Sequence, residues 1–189
     1  MDLKGKNVLV VGMAQTGVAT AKFLKAKGSM VTTTEVKPEE EMEEAVQKLR
    51  ELGLSTEWGG HQIETFLKQD LIVVSPGVDL KIEPIQRAMG KGIPVISEIE
   101  LAYQFIDLPI IAVTGTNGKT TTTLLMGEMF KEDGRKVGVG GNVGDPLILF
   151  TDGRDRWEIL VAEISSFQLE AIQTFRPWIS VLLNITEDH

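Results

Sequence analysis

Short apolar runs, each too brief for a helix, alternate along this chain with amphipathic stretches of helical period. Residues 7–11 (NVLVV), 30–35, 71–74 (LIVV), 95–96, 110–113 (IIAV), 136–139, 158–164 (EILVAEI) and 179–185 make up the first set. Runs of this length, rich in Val and Ile and bounded by Gly, Pro or polar residues, read as strands buried on both faces of a parallel sheet. Between them, Val18, Ala21 and Leu24 mark one face of a helix closed by Gly28. Pro38 is expected to open a second helix, with Met42, Ala45, Val46, Leu49 and Leu52 as its apolar stripe. Glutamates at 39, 40, 41, 43 and 44 crowd that helix start, where the dipole favours negative charge, so they read as a solvated face and not a metal site. Further helices are expected over residues 82–91, 98–103 and 165–172, and one following Lys119 that carries Leu124, Leu125, Met126, Met129 and Phe130. Neither an internal repeat nor a low-complexity segment interrupts the alternation.

Strands alternating with helices predict an α/β fold. Its first part, residues 1–108, reads as a Rossmann-like doubly wound parallel sheet, and residues 109–189 as a P-loop α/β unit, with Asp107-Leu108-Pro109 at the boundary.

Composition narrows the chemistry. The 189 residues are 42% hydrophobic and 24% charged, an ordinary globular mixture with enough apolar material for a core. A net charge of −8 argues against a general nucleic-acid-binding surface, so phosphate must be captured by local loops. Without cysteine there are no disulfides, thiolate metal sites or Cys nucleophiles. No segment has membrane length or the form of a signal peptide, so no membrane insertion and a cytoplasmic location are the expectation.

Two glycine turns then carry the candidate sites. In Thr114-Gly115-Thr116-Asn117-Gly118-Lys119-Thr120-Thr121, a strand leads through glycines into a helix. Glycines let backbone N–H groups fold around an anion, and the helix N-terminus adds its positive dipole end. Lys119 can reach β/γ-phosphates and the Thr120 hydroxyl can ligate Mg²⁺. Val113 stands where the common template has its first glycine, so the loop is a shortened G-x-x-G-K-T-T variant. A junction that merely contains Gly-Lys-Thr is the bland alternative, and the flanking strand and helix argue against it.

The second turn, Gly12 to Gly17, partly matches the dinucleotide fingerprint, with Ala14 in place of the middle glycine. Glu35 occupies the place of the acid that bonds a ribose hydroxyl, and Ser75-Pro76-Gly77 ends another strand at the same sheet edge. The alternative for all of these is a set of ordinary tight turns. Glu163 ends a buried strand, where such folds complete an Mg²⁺ site, or where an acid simply faces water. Asn142, in a glycine-rich turn, is as readily a turn former as a ligand group. Of the two histidines, His189 follows the last strand and His61 sits unremarkably in a polar loop.

Four ordered phrases, residues 114–121, 140–144 (GGNVG), 163–170 (EISSFQLE) and 184–189 (NITEDH), resemble the Mur ligases. Within that family the Ser-Ser-Phe-Gln-Leu-Glu phrase is similar to members that join D-glutamate to UDP-N-acetylmuramoyl-L-alanine. The resemblance implies three domains: a uridine-nucleotide domain, a central ATPase and a C-terminal domain. It further implies ATP and Mg²⁺ as cofactors, an acyl-phosphate intermediate and a monomer in full-length form. On this sequence it assigns uridine binding to Gln15, Thr16, Glu35, Ser75, Pro76 and Gly77. ATP binding falls on Gly115, Thr116, Asn117, Gly118, Lys119, Thr120 and Thr121, and metal on Thr120, Glu163 and His189. Lys119, Glu163 and His189 become the catalytic set, while Asn142, Ser165 and Gln168 hold the muramoyl end. The family's metal-supporting lysine and its C-terminal domain find no counterpart before His189. The resemblance therefore implies a truncated central unit that binds the UDP-substrate and is not active alone. Three rivals stay open: a nicotinamide-dependent oxidoreductase resting on Gly12, Gly17 and Glu35, a small P-loop kinase or GTPase, and a nucleotide-sugar-binding module without turnover.

Overall fold

The computed structural model of the chain describes residues 1–153 and 155–186, and these divide into two compact units, Met1–Glu98 and Ile99–His189. In the first unit, β1 (Asn7–Val11), α1 (Gln15–Ala26), β2 (Met30–Thr34), α2 (Glu43–Glu51), β3 (Thr56–Glu57), α3 (Ile63–Phe66), β4 (Leu71–Val74), α4 (Glu83–Gly90) and β5 (Val95–Ser97) follow one another. The strands form one parallel sheet in the order β3-β2-β1-β4-β5. Strand order reverses at β1 and β4, so the turns that leave those two strands open the crevice where such sheets bind ligands. Val8 to Val11 and Leu71 to Val74 are all buried, as continuous apolar runs between two helical layers must be.

α5 (Glu98–Tyr103) starts on the last residue of the first unit and leads into β6 (Ile110–Thr114), α6 (Lys119–Glu132), β7 (Val137–Gly141), β8 (Ile159–Glu163), α7 (Ser166–Leu169) and β9 (Ile179–Leu182). The second sheet is also parallel, in the order β7-β8-β6-β9. Its core gathers Ile111, Val113, Val137, Ile159 and Val161, with Met126 and Phe130 of α6 packed against it. Gly127 lets α6 lie close on the sheet, since a Cβ there would stand 2.5 Å from the Val139 side chain.

Several expected elements differ in detail. Pro38 opens only a 3-10 turn over Glu39–Glu41; Met42, at φ −127°, breaks the chain before α2 begins. The helix expected over 165–172 is the single turn α7, and the expected strand over 179–185 stops at Leu182. The very short β3 and α3, and a 3-10 turn at Leu147–Phe150, have no clear periodic signal in the sequence.

Candidate functional site

In the second unit, the phosphate loop leaves β6 and enters α6. Gly115 (φ 137°) and Gly118 (φ 87°) hold backbone angles that side-chain-bearing residues rarely adopt. A Cβ on Gly115 would also meet the Asn184 main chain at 3.0 and 3.1 Å. Gly118 caps α6 without any side-chain hydrogen bond, which leaves the helix's first N–H groups for an anion. The Lys119 ammonium lies over this cradle, donating to the carbonyl oxygens of Gly115 (2.7 Å) and Thr116 (2.9 Å). A phosphate would offer it a charged partner in place of two neutral ones.

Beside the loop, Glu163 ends β8 only 2% exposed. Its Oε2 accepts the Thr120 hydroxyl at 2.6 Å, and its Oε1 accepts the Asn142 amide at 2.8 Å. Gly141 makes the second contact possible. With φ 106°, it carries β7 so close to β8 that a Cβ would stand 2.3 Å from the Glu163 carbonyl oxygen. That carbonyl takes the Asn142 N–H at 2.8 Å, which aims the amide at the carboxylate.

A carboxylate and a hydroxyl in contact are hard oxygen donors that suit Mg²⁺, an ion that takes few protein ligands and keeps waters and substrate oxygens. Among the described residues no group of three or more His, Asp or Glu side chains could hold a metal. The expected ligand His189 lies outside the described residues.

Asn184, beyond β9, has no role assigned by the sequence reading, yet it anchors the loop. Its amide nitrogen donates to the Asn117 carbonyl and its Oδ1 accepts the Asn117 N–H, both at 2.9 Å. Its own carbonyl accepts the Thr116 N–H at 3.0 Å. Only the pairing of β9 with β6 brings these segments together, and no local spacing signals that.

Ser165 and Gln168 are bound to each other. The Ser165 hydroxyl caps α7 by accepting the Gln168 N–H (3.3 Å), while Gln168 Oε1 accepts the Ser165 N–H (2.9 Å). This capping box shapes the turn after Glu163, and Gln168 is 3% exposed.

In the first unit, Gln15 and Thr16 form the first turn of α1, whose N-cap Ala14 offers no side-chain bond. Gly17 seats that helix against β1, because a Cβ there would fall 1.8 Å from the Gly12 carbonyl oxygen. The same carbonyl accepts the Ser75 hydroxyl at 2.8 Å, so the turns after β1 and β4 are tied together at the point where strand order reverses. Pro76 and Gly77 continue that turn, Gly77 at φ 85°.

Glu35 follows β2 at the same sheet edge. It is 7% exposed; Oε2 accepts the Met13 N–H at 2.7 Å and Oε1 the Lys37 N–H at 3.0 Å. The carboxylate therefore braces the glycine turn in the described state. His61, near the same edge, touches Thr34 through Nδ1 at 2.9 Å.

Two parallel α/β units, each with a helix start that no side chain caps and one of them beside a carboxylate–hydroxyl pair, define the class of fold. Family models agree: "Mur ligase MurD-like, N-terminal domain" matches residues 6–97, and "Mur ligase middle domain" matches residues 113–189. The chain belongs to the Mur ligase family.

UDP-N-acetylmuramoylalanine–D-glutamate ligase of Geotalea daltonii is 56% identical over 190 residues, all of this chain and 42% of the relative. The protein of the same name from Desulfatibacillum aliphaticivorans is 51% identical over 189 residues, again all of this chain and 42% of the relative. The chain thus spans about two-fifths of the length of these curated relatives, at 42%. Among solved structures, UDP-N-acetylmuramate:L-alanyl-gamma-D-glutamyl-meso-diaminopimelate ligase from Neisseria meningitides superposes with a TM-score of 0.59 at 20% identity. That match covers 98% of this chain and 62% of the other. UDP-N-acetylmuramate-alanine ligase MurC from Thermotoga maritima gives 0.55 at 22% identity, over 97% and 42%. At such identities the likeness establishes the fold alone.

Proposed function

We propose that this chain provides the uridine-nucleotide unit and phosphate-loop unit of an ATP-dependent, Mg²⁺-requiring ligase joining D-glutamate to UDP-N-acetylmuramoyl-L-alanine in peptidoglycan precursor synthesis. The observation that carries the reading is the Thr120 hydroxyl on the Glu163 carboxylate, 2.6 Å apart at the mouth of the phosphate loop. Relatives of that name, 51 and 56% identical across the whole chain, support the choice of substrates.

The proposed roles follow from charge. A substrate carboxylate attacks the γ-phosphorus of ATP, ADP leaves, and the D-glutamate amine displaces phosphate from the acyl phosphate. Carboxylate and polyphosphate repel each other, so the site must supply positive charge and alignment before attack. Lys119 and the N–H groups at the end of the 115–121 loop, from Gly118 onward, hold the phosphates, with the uncapped start of α6 behind them; the Thr116 and Asn117 N–H groups are taken by Asn184. Thr120 and Glu163 hold Mg²⁺, which when bound neutralises phosphate charge. Asn142 fixes the carboxylate that receives the metal, while its place in the glycine turn also suits the substrate. Gln15, Thr16, and residues 75–77 line the crevice proposed for the UDP group, with Glu35 bracing it. The reading makes the protein cytoplasmic; among the described residues no helix is long and apolar enough to cross a membrane.

Calorimetric titration of UDP and of Mg·ATP into the wild type and Lys119→Ala tests the two-site assignment. Loss of Mg·ATP binding with UDP affinity retained is expected, since the sites belong to separate units. Equal loss of both ligands would reject it.

A further inference from the structure

At the strand edge where a ribose or base would lie, Glu35 already holds two backbone N–H groups, and a ligand there has room for a further polar partner. His61 has one to offer. Its loop is laced to the segment after β2: the Gly59 N–H donates to the Lys37 carbonyl (3.0 Å) and the Gly60 N–H to the Glu35 carbonyl (3.2 Å). The ring is thereby carried to the carboxyl end of β2, where Nδ1 meets the Thr34 hydroxyl at 2.9 Å and Phe66 packs edge-on at 5.8 Å.

The ring's tautomer is coupled to the Thr34 hydroxyl. Thr34 has one hydroxyl proton, and the Gly60 carbonyl, 3.2 Å away, can only accept it. With that proton on the Gly60 carbonyl, the hydroxyl accepts from Nδ1–H and Nε2 keeps its lone pair; with it on Nδ1, Nε2 carries the ring proton. Nε2 makes no hydrogen bond to a described residue.

We infer that His61 is a ligand-binding and specificity-determining residue, its Nε2 accepting a hydrogen bond from a donor on the uridine, either the uracil imide N–H or a ribose hydroxyl. The inference rests on reading the first unit as the UDP-binding unit. Burial pushes the imidazole below its ordinary 6.5, against the opposing pull of the Glu35 and Glu57 charges. The neutral ring is therefore the form present near pH 7. The charged groups facing it are Glu35, after β2, and Glu57, on β3; α3 contributes Phe66 and β2 contributes Thr34. Protonation at Nε2 would set a donor against a donor.

UDP, 2′-deoxy-UDP, 3′-deoxy-UDP and N3-methyl-UDP titrated into the wild type and His61→Phe at pH 7.5 and 5.0 test this. The Phe variant keeps an aromatic ring against Phe66 and removes the acceptor. One neutral hydrogen bond predicts roughly three- to tenfold weaker UDP binding by the variant at pH 7.5. One analogue should lose a similar factor in the wild type and little more in the variant, which identifies the donor. Wild-type selectivity for UDP over that analogue should also shrink at pH 5.0, an arm that needs no variant. Failure of the wild type to bind UDP would reject the UDP-unit reading and this inference with it. UDP binding with no discrimination among the analogues, or with an unchanged affinity in a folded Phe variant, would overturn the inference alone.

Discussion

Asn184 grips Asn117 by both of its main-chain polar groups, with two 2.9 Å hydrogen bonds made through one side-chain amide. An amide mimics a peptide unit, one donor beside one acceptor, and so can pair with a stretch of backbone as a neighbouring strand would. The apex of the phosphate loop is thus tied to the end of β9.

Asn184→Ala should consequently weaken Mg·ATP binding. Two neutral hydrogen bonds at about 0.5–1.5 kcal/mol each predict a loss of about 1–3 kcal/mol. Asn184→Asp should lose at least as much, since it sets a carboxylate oxygen against the Asn117 carbonyl and a negative charge beside the phosphates. Calorimetry with Mg·ATP and UDP checks it: undiminished Mg·ATP affinity in the alanine variant would exclude a positioning role.

Glu163→Gln should remove the dependence of ATP binding on Mg²⁺. The glutamine keeps the shape but not the charge that draws the ion. A buried carboxylate without a cation carries a desolvation cost, so the ligand-free stability of the variant should hold or rise. Titration of ATP with and without Mg²⁺, beside thermal unfolding, reads both effects.

Glu100 makes a pH prediction. Burial would raise its carboxyl, but the Thr174 hydroxyl and the N–H groups of Gln173, Thr174 and Phe175 more than compensate and hold it below the usual 4.5. A depressed folded value means stability that is present above the unfolded pKa and lost as pH falls through the folded one. Glu100→Gln should cost about 1.5–3 kcal/mol at pH 7, and the gap from wild type should close as pH drops below about 4. Urea unfolding at several pH values measures that gap; a gap independent of pH would count against the carboxylate's role.

Gly17→Ala should destabilise the first unit by about 1–3 kcal/mol despite alanine's better helix propensity. The obstacle is backbone, since the new Cβ would stand 1.8 Å from the Gly12 carbonyl oxygen. Urea denaturation followed by circular dichroism reports the cost. Wild-type stability would mean that α1 slides on β1 more freely than its packing indicates.

The sequence alone determined the elements whose signal is local. Residues 7–11, 71–74 and 110–113 are strands because unbroken apolar runs of that length can be satisfied only inside a sheet. The glycine turn between β6 and α6 was legible for a similar reason: glycine, lysine and threonine at fixed offsets after a strand are set by backbone freedom and charge within eight residues. What the tertiary structure decided depends on partners distant in the chain. Asn184 becomes a loop anchor only because β9 pairs with β6, bringing residue 184 to residue 117 across 67 positions. Glu35 reads as a ribose acid from its position; that its oxygens also take the Met13 and Lys37 N–H groups is decided by the fold. His61 looked idle in a polar loop until the β2–β3 pairing set its Nδ1 against Thr34. Periodicity records what one segment buries; which polar atoms are consumed and which remain for a ligand is settled by strand order and register.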